Sequence, residues 1–346
     1  MKKAFFAAVL LWALAIPVKA SELVAPEVQK AGQLIMPQNT DSFGDGLLEL
    51  LQNSVKLVRP DLQEAAKSCG TIILSAMLFS VLPMISQRIH SLAATAGVVS
   101  IAAVIFHQTN SLILLAADTV RDILDYGKLL CQVMTAALAA QGGVTESSAL
   151  YIGTTVFITV LNSLMTTLMI PMIFGYLTFS VAHGAFCDDF LKKAADLIKS
   201  LMIWSLKTLL IVFSTYMSIT GAVNGSTDLA ALKTAKVVIS SAVPVVGGIL
   251  SDSSEAVLVS MSTIKNAAGI YGILAVLSVF MGPFVKIGIH YLLLRTSAII
   301  CGVFGDKQIS SLVDSFSSAM SLLLAVIAVG CVLVLISTVC FLKGAG

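Results

Sequence analysis

The sequence predicts an all-α, polytopic membrane protein, and three observations carry that expectation. Only 12% of the 346 residues are charged, about half of the roughly 25% usual in soluble globular domains. Hydrophobic residues make up 57% of the chain, more than a water-facing fold can hide. From Gly70 onward the chain is a train of apolar runs, about seven of which approach the ~20 residues needed to cross a bilayer.

The first twenty residues have the pattern of an export signal. Lys2 and Lys3 precede an apolar core, Ala4 to Ile16, and Val18-Lys19-Ala20 places small residues before Ser21. Residues 21–69 form a short extracytoplasmic segment, since 21–68 hold seven acidic residues, four basic ones and three prolines. Within it Leu47, Leu48, Leu51, Val55 and Leu57 or Val58 recur at helical spacing opposite Glu49, Asn53 and Lys56. That periodicity predicts a short amphipathic helix ending before Pro60, which disfavours helix in the residue preceding it.

Residues 70–346 form the polytopic domain, with expected spans at 70–87, 91–117, 150–182, 201–223, 267–285, 287–304 and 318–342. Between the second and third lies a polar island, Asp118 to Lys128, followed by a weaker apolar stretch suited to an interfacial or re-entrant helix. Short cytoplasmic loops collect Lys and Arg. With the first mature segment outside, seven spans put Arg88, Lys192, Lys193, Lys199, Lys286 and Lys343 inside. Arg121, Lys128, Lys233 and Lys236 then fall outside or at membrane depth, against the scheme.

Composition and motifs point away from catalysis. A net charge of +2 is too small for a nucleic-acid footprint. No phosphate-binding loop, nucleophile elbow, zinc-protease helix or dinucleotide fingerprint occurs, so no catalytic, cofactor or metal site is read. The six cysteines lack paired spacing and read as buried thiols. His107, with Asn110 nearby, has the composition of a proton relay, but a lone helical histidine more often simply packs. Lys286, His290 and Arg295 share one helix face, to be explained by structural pairing or by a polar pathway, because an Arg facing lipid at the bilayer centre costs at least ~2.5 kcal/mol.

Residues 224–266 hold the richest pattern. A moderately polar helix carrying Ser240 and Ser241 meets Val243-Pro244-Val245-Val246-Gly247-Gly248. Proline removes a backbone donor and the glycines allow left-handed geometry, so a helix break is expected there. Beyond Ser251, Asp252-Ser253-Ser254-Glu255 is similar to a capping box, opening a second helix through Lys265 to Asn266. Irregular backbone at membrane depth must be buried in protein or line water. Pro244, Gly247 and Gly248 are therefore the candidate break, and Ser240, Ser241, Ser251, Asp252 and Lys265 its candidate polar conduit surface. An amphipathic hairpin on the outer membrane surface is the alternative placement.

Those residues also carry a resemblance. Lys236-Val237-Val238-Ile239-Ser240-Ser241-Ala242-Val243-Pro244-Val245-Val246-Gly247-Gly248, then Ser251-Asp252, then Ile264-Lys265-Asn266-Ala267-Ala268-Gly269-Ile270, resembles the stage III sporulation protein AE family. The order of parts, ending in helices around Phe304-Gly305-Asp306-Lys307-Gln308-Ile309, is similar along essentially the whole chain. The resemblance implies a non-catalytic subunit of the secretion-like channel complex joining mother cell and forespore. It implies a place in the mother-cell membrane surrounding the forespore. The implied partners are a secretion-type ATPase, small membrane proteins, ring proteins of the intermembrane space, a forespore-side protein and membrane lipid, with no nucleic acid. Two other classes remain as expectations to test: a self-contained secondary transporter or permease, and a membrane scaffold without an aqueous path.

Overall fold

A computed structural model describes residues 43–85, 90–140, 144–242, 246–304 and 307–343; within them the side chains of 80–94, 221–270 and scattered positions, mostly in the first helix or beside the turns, are not described. Every described residue but two is helical. The helices are α1 (Phe43–Ile85), α2 (His90–Ala140), α3 (Val144–Ser163), α4 (Ile170–Phe186), α5 (Asp189–Ala242), α6 (Val246–Phe304) and α7 (Lys307–Lys343). A π-helical segment, Leu164–Met169, joins α3 to α4, so the seven helices form six rods. The signal-like residues 1–20 and the segment before Phe43 lie outside the described residues.

These rods are longer than expected. At 1.5 Å per residue the 51 residues of α2 reach about 76 Å, more than twice the ~30 Å hydrocarbon core. Among the described residues five stretches are long and apolar enough to cross a membrane: Thr95–Ala139, Ser147–Phe186, Asp189–Thr220, Tyr271–Val303 and Lys307–Lys343. On α5, Leu197, Trp204, Ile211 and Ile219 repeat every seven or eight residues and all lie exposed. That stripe covers about 33 Å of rod, the depth of the hydrocarbon core. A water-soluble helix would not hold such a face outward.

Three expectations are corrected. The amphipathic helix does not stop at Pro60; α1 runs unbroken from Phe43 to Ile85. Its buried positions, Leu50, Ser54, Ala65, Cys69, Ile72 and Ala76, keep a 3.6-residue period on both sides of the proline. One packed face therefore outweighs a single missing backbone bond. Leu48, expected on the apolar face, is exposed. The apolar runs 267–285 and 287–304 are not two spans, for α6 continues through Pro283 and Lys286. Finally, the polar island and the stretch after it belong to α2 itself rather than to a loop and a re-entrant helix.

Helix directions follow from contacts at two or more levels. Gly97 meets Phe79 and Gln108 hydrogen-bonds Ser68, so α1 and α2 are antiparallel. Gly330 meets Val120 and Gly127 meets Val334, so α7 runs parallel to α2. Phe43 and Lys343 consequently lie at one pole, and the chain reversals after Ile85, Phe186 and Phe304 at the other. Lys343 is thus at the opposite pole from Lys192 and Lys193, and Lys286 lies within a rod. The seven-span charge scheme does not survive this geometry.

The core centres on α7, which packs on α2, α3, α4, α5 and α6. Phe316, Met320, Leu323, Val326, Ile327 and Phe341 are buried on one broad face of it. Hydroxyls tie the rods together, as expected where packing rather than water drives association. Thr154 Oγ1 and Ser337 Oγ lie 2.7 Å apart between α3 and α7. Ser310 Oγ donates to the Ala298 carbonyl at 2.8 Å and Thr95 Oγ1 to the Ala185 carbonyl at 3.2 Å. The small residue Gly272 does mark a close approach: a Cβ there would sit 2.6 Å from the Leu130 methyls of α2.

Candidate functional site

The clearest polar surface lies on α2 and α3, at levels belonging to two candidate spans, Thr95–Ala139 and Ser147–Phe186. On α2, Asp118, Arg121, Asp125 and Lys128 follow an i, i+3, i+7, i+10 series, which holds them on one face. Opposite them Val120, Ile123, Leu124 and Leu130 are buried. Arg121 Nη1 is 3.7 Å from Asp118 Oδ1, and Lys128 Nζ donates to Asp125 Oδ1 at 3.1 Å. All four side chains are exposed by a third or more.

Along α3 and into the π segment, Thr155, Thr159, Asn162 and Thr166 follow an i, i+4, i+7, i+11 series. Thr159 Oγ1 donates to the Thr155 carbonyl at 2.8 Å, and Thr166 Oγ1 to the Asn162 carbonyl at 2.9 Å. Each hydroxyl thereby meets its donor requirement within its own helix, leaving its lone pairs outward. A neighbouring arc of the same helix carries Ile152, Val156 and Val160 at 59%, 52% and 45% exposure, up to the exposed Ser163 at its end. The outer surface of α3 is divided lengthwise into a hydrocarbon-like strip and a hydroxyl strip.

Register joins the two polar faces. Ile158 lies against Gly127, and Thr154 against Cys131. Antiparallel helices paired there set Asp125 and Lys128 beside the turn of Thr159, and Asp118 beside Thr166. On α2, rotation from the face toward α7 through the face toward α3 leads outward to the charges. On α3, the same path through the face toward α2 leads to the hydroxyls, so both faces open on the same side.

The π segment adjoins this seam. Its wider turn precedes Pro171, which has no N–H and would press on the carbonyl four residues back, and a π turn relieves that pressure. Met165 and Met169 face the core while Thr166 and Thr167 face outward. Sequence reading missed the α3 strip because the run 150–182 passes as one apolar span. The signal was present in the spacing of its Thr and Asn residues. His107 and Asn110 are exposed on the α2 face that carries the charges, so His107 is not the packed residue expected.

Toward the pole of the reversals several polar groups are paired within the fold. Cys187 adopts φ 55°, and its N–H donates to the His183 carbonyl at 2.8 Å. His183 Nδ1 donates to the Asp188 carbonyl at 2.9 Å, and Asp188 Oδ1 accepts the Phe190 N–H at 2.8 Å, capping α5. Arg295 Nη1 donates to Asp314 Oδ1 across the α6–α7 pair, so structural pairing accounts for this arginine. His290 Nδ1 donates to the Lys286 carbonyl at 2.9 Å. Lys199 Nζ donates to Ser318 Oγ at 3.1 Å.

Over residues 33–345 the chain matches the family model of stage III sporulation protein AE. This chain belongs to that family. Stage III sporulation protein AE of Bacillus subtilis (strain 168) is 22% identical over 315 residues, which cover 88% of this chain and 77% of the relative. No solved structure matches.

The family match includes the stretch that carries the resemblance. Ser240 and Ser241 end α5, and Gly247, Gly248, Ser251, Asp252 and Lys265 lie on α6. Pro244 lies outside the described residues, as do the side chains of the other seven. Among the described residues no group of three His, Cys, Asp or Glu side chains is placed to hold a metal.

Proposed function

We propose that this chain is a non-catalytic, multi-pass component of the channel complex between mother cell and forespore, held in the mother-cell membrane that surrounds the forespore. The observation that supports the reading is family membership extending over residues 33–345 of a chain whose described part is a bundle of span-length apolar helices. A conduit subunit needs no nucleotide site of its own, and a secretion-type ATPase would supply the energy. Small membrane proteins, intermembrane ring proteins and a forespore-side protein complete the assembly. In this reading the 240–265 region contributes polar wall, with its break at Pro244, Gly247 and Gly248.

Deleting the gene in its spore-forming host tests the reading. Forespores should engulf and then stall, with recovery when the gene is restored; normal spores from the deletion strain would refute it. Purified chain in liposomes should show no solute flux, whereas flux from the chain alone would establish a permease instead.

A further inference from the structure

We infer that the α2–α3 seam faces a water-filled space at membrane depth in the assembled complex, and that small hydrophilic solutes pass along it. The inference rests on the proposed function only for the identity of the assembly. Tyr216 against Gly153 and Phe213 against Phe157, taken through the α2–α3 register, set the exposed apolar stripe of α5 from Leu197 to Ile219 level with the α2 charges. Lipid cannot cover Asp118, Arg121, Asp125 and Lys128 at that depth, since each exposed charge at the bilayer midplane costs at least ~2.5 kcal/mol. Their acids and bases already pair with each other on one helix, and the hydroxyls of Thr159 and Thr166 already donate to their own backbone. The surface therefore offers a partner helix little apolar area to bury, and the N–H donors of Arg121 and Lys128 not engaged by their aspartates face outward. Hydration satisfies it completely.

The strip beside it sharpens the argument. Ile152, Val156 and Val160 occupy the same turns of α3 as the hydroxyls, yet present only hydrocarbon. A boundary between two solvents runs lengthwise along one helix, with lipid on the valine side and water on the threonine side. With Asp122 one turn beyond Asp118, the α2 face holds three acidic and two basic groups, so the wall should select only weakly, in favour of cations.

Cysteine labelling of the complete complex in opened membrane vesicles from sporulating cells tests this, in a Cys187→Ser background. Thr159→Cys and Thr166→Cys should react with a charged methanethiosulfonate reagent at least about tenfold faster than Ile152→Cys and Val156→Cys, because the reacting thiolate must be hydrated. Thr155→Cys serves if either threonine variant fails to accumulate. Equal protection at all positions would overturn the inference, and so would protection of the threonine positions accompanied by crosslinking to another polypeptide. In either case a deletion strain that still stalls would leave the proposed function standing.

Discussion

Tyr216 closes over Gly153 so tightly that a Cβ at residue 153 would lie 1.9 Å from its Cε1 atom. The same ring hydrogen-bonds back to α3, its hydroxyl donating to the Ala149 carbonyl at 3.1 Å. Gly153→Ala must push the ring away and break that bond. Overpacking costs about 1–3 kcal/mol, while the better helix preference of alanine returns about 1. The detergent-solubilised variant should melt at a lower temperature. In a Tyr216→Ala background the same substitution should be neutral or stabilising, and equal losses in both backgrounds would contradict the contact.

The buried pair Thr154 and Ser337 links α3 to α7 with both oxygens shielded. Thr154→Val keeps the shape and leaves Ser337 without this partner. A loss of about 1 kcal/mol is expected. The double variant with Ser337→Ala should recover part of it, since it strands no polar atom. Additive losses in denaturant titrations would show that the hydroxyls do not interact.

Arg295 and Asp314 pair near the pole of the reversals. Asp314→Leu should lower the accumulation of inserted protein several-fold, because it strands a guanidinium within the Tyr271–Val303 span. Adding Arg295→Leu should restore it. Failure of the double variant to recover would assign Asp314 another role.

Thiol accessibility offers a direct check of the packing. Cys69, Cys131, Cys301 and Cys331 are buried, Cys340 is half-buried and Cys187 is exposed. In native detergent extracts a bulky maleimide should modify Cys187 first, and the four buried thiols only after unfolding. Rapid labelling of Cys131 or Cys331 without denaturant would disprove the arrangement around α7.

The expected break at 243–248 is tested in cells. Gly247→Val with Gly248→Val should halt late forespore development without reducing membrane insertion, measured as spore yield and as protein in the membrane fraction. Full spore yield would remove the break from the mechanism.

The all-helical class and the membrane environment were legible from charge depletion and run length. Rod count was less so, for a physical reason. Pro60, Pro283 and Lys286 look like stops to local rules, yet Leu50, Ser54, Ala65 and Cys69 keep one packed face in phase across the first of them. Tertiary burial decides there, and a single-residue rule does not contain it. The polar island was visible as composition, but its meaning lay in spacing: Asp118, Arg121, Asp125 and Lys128 fit one face of a continuing helix. The hydroxyl strip escaped because threonine adds little polarity to a run rich in valine and isoleucine.

Phe43 and Lys343 share a pole, so anything that grips this chain by its described ends grips it from one direction. The opposite pole carries the described reversal at Cys187 and Asp188.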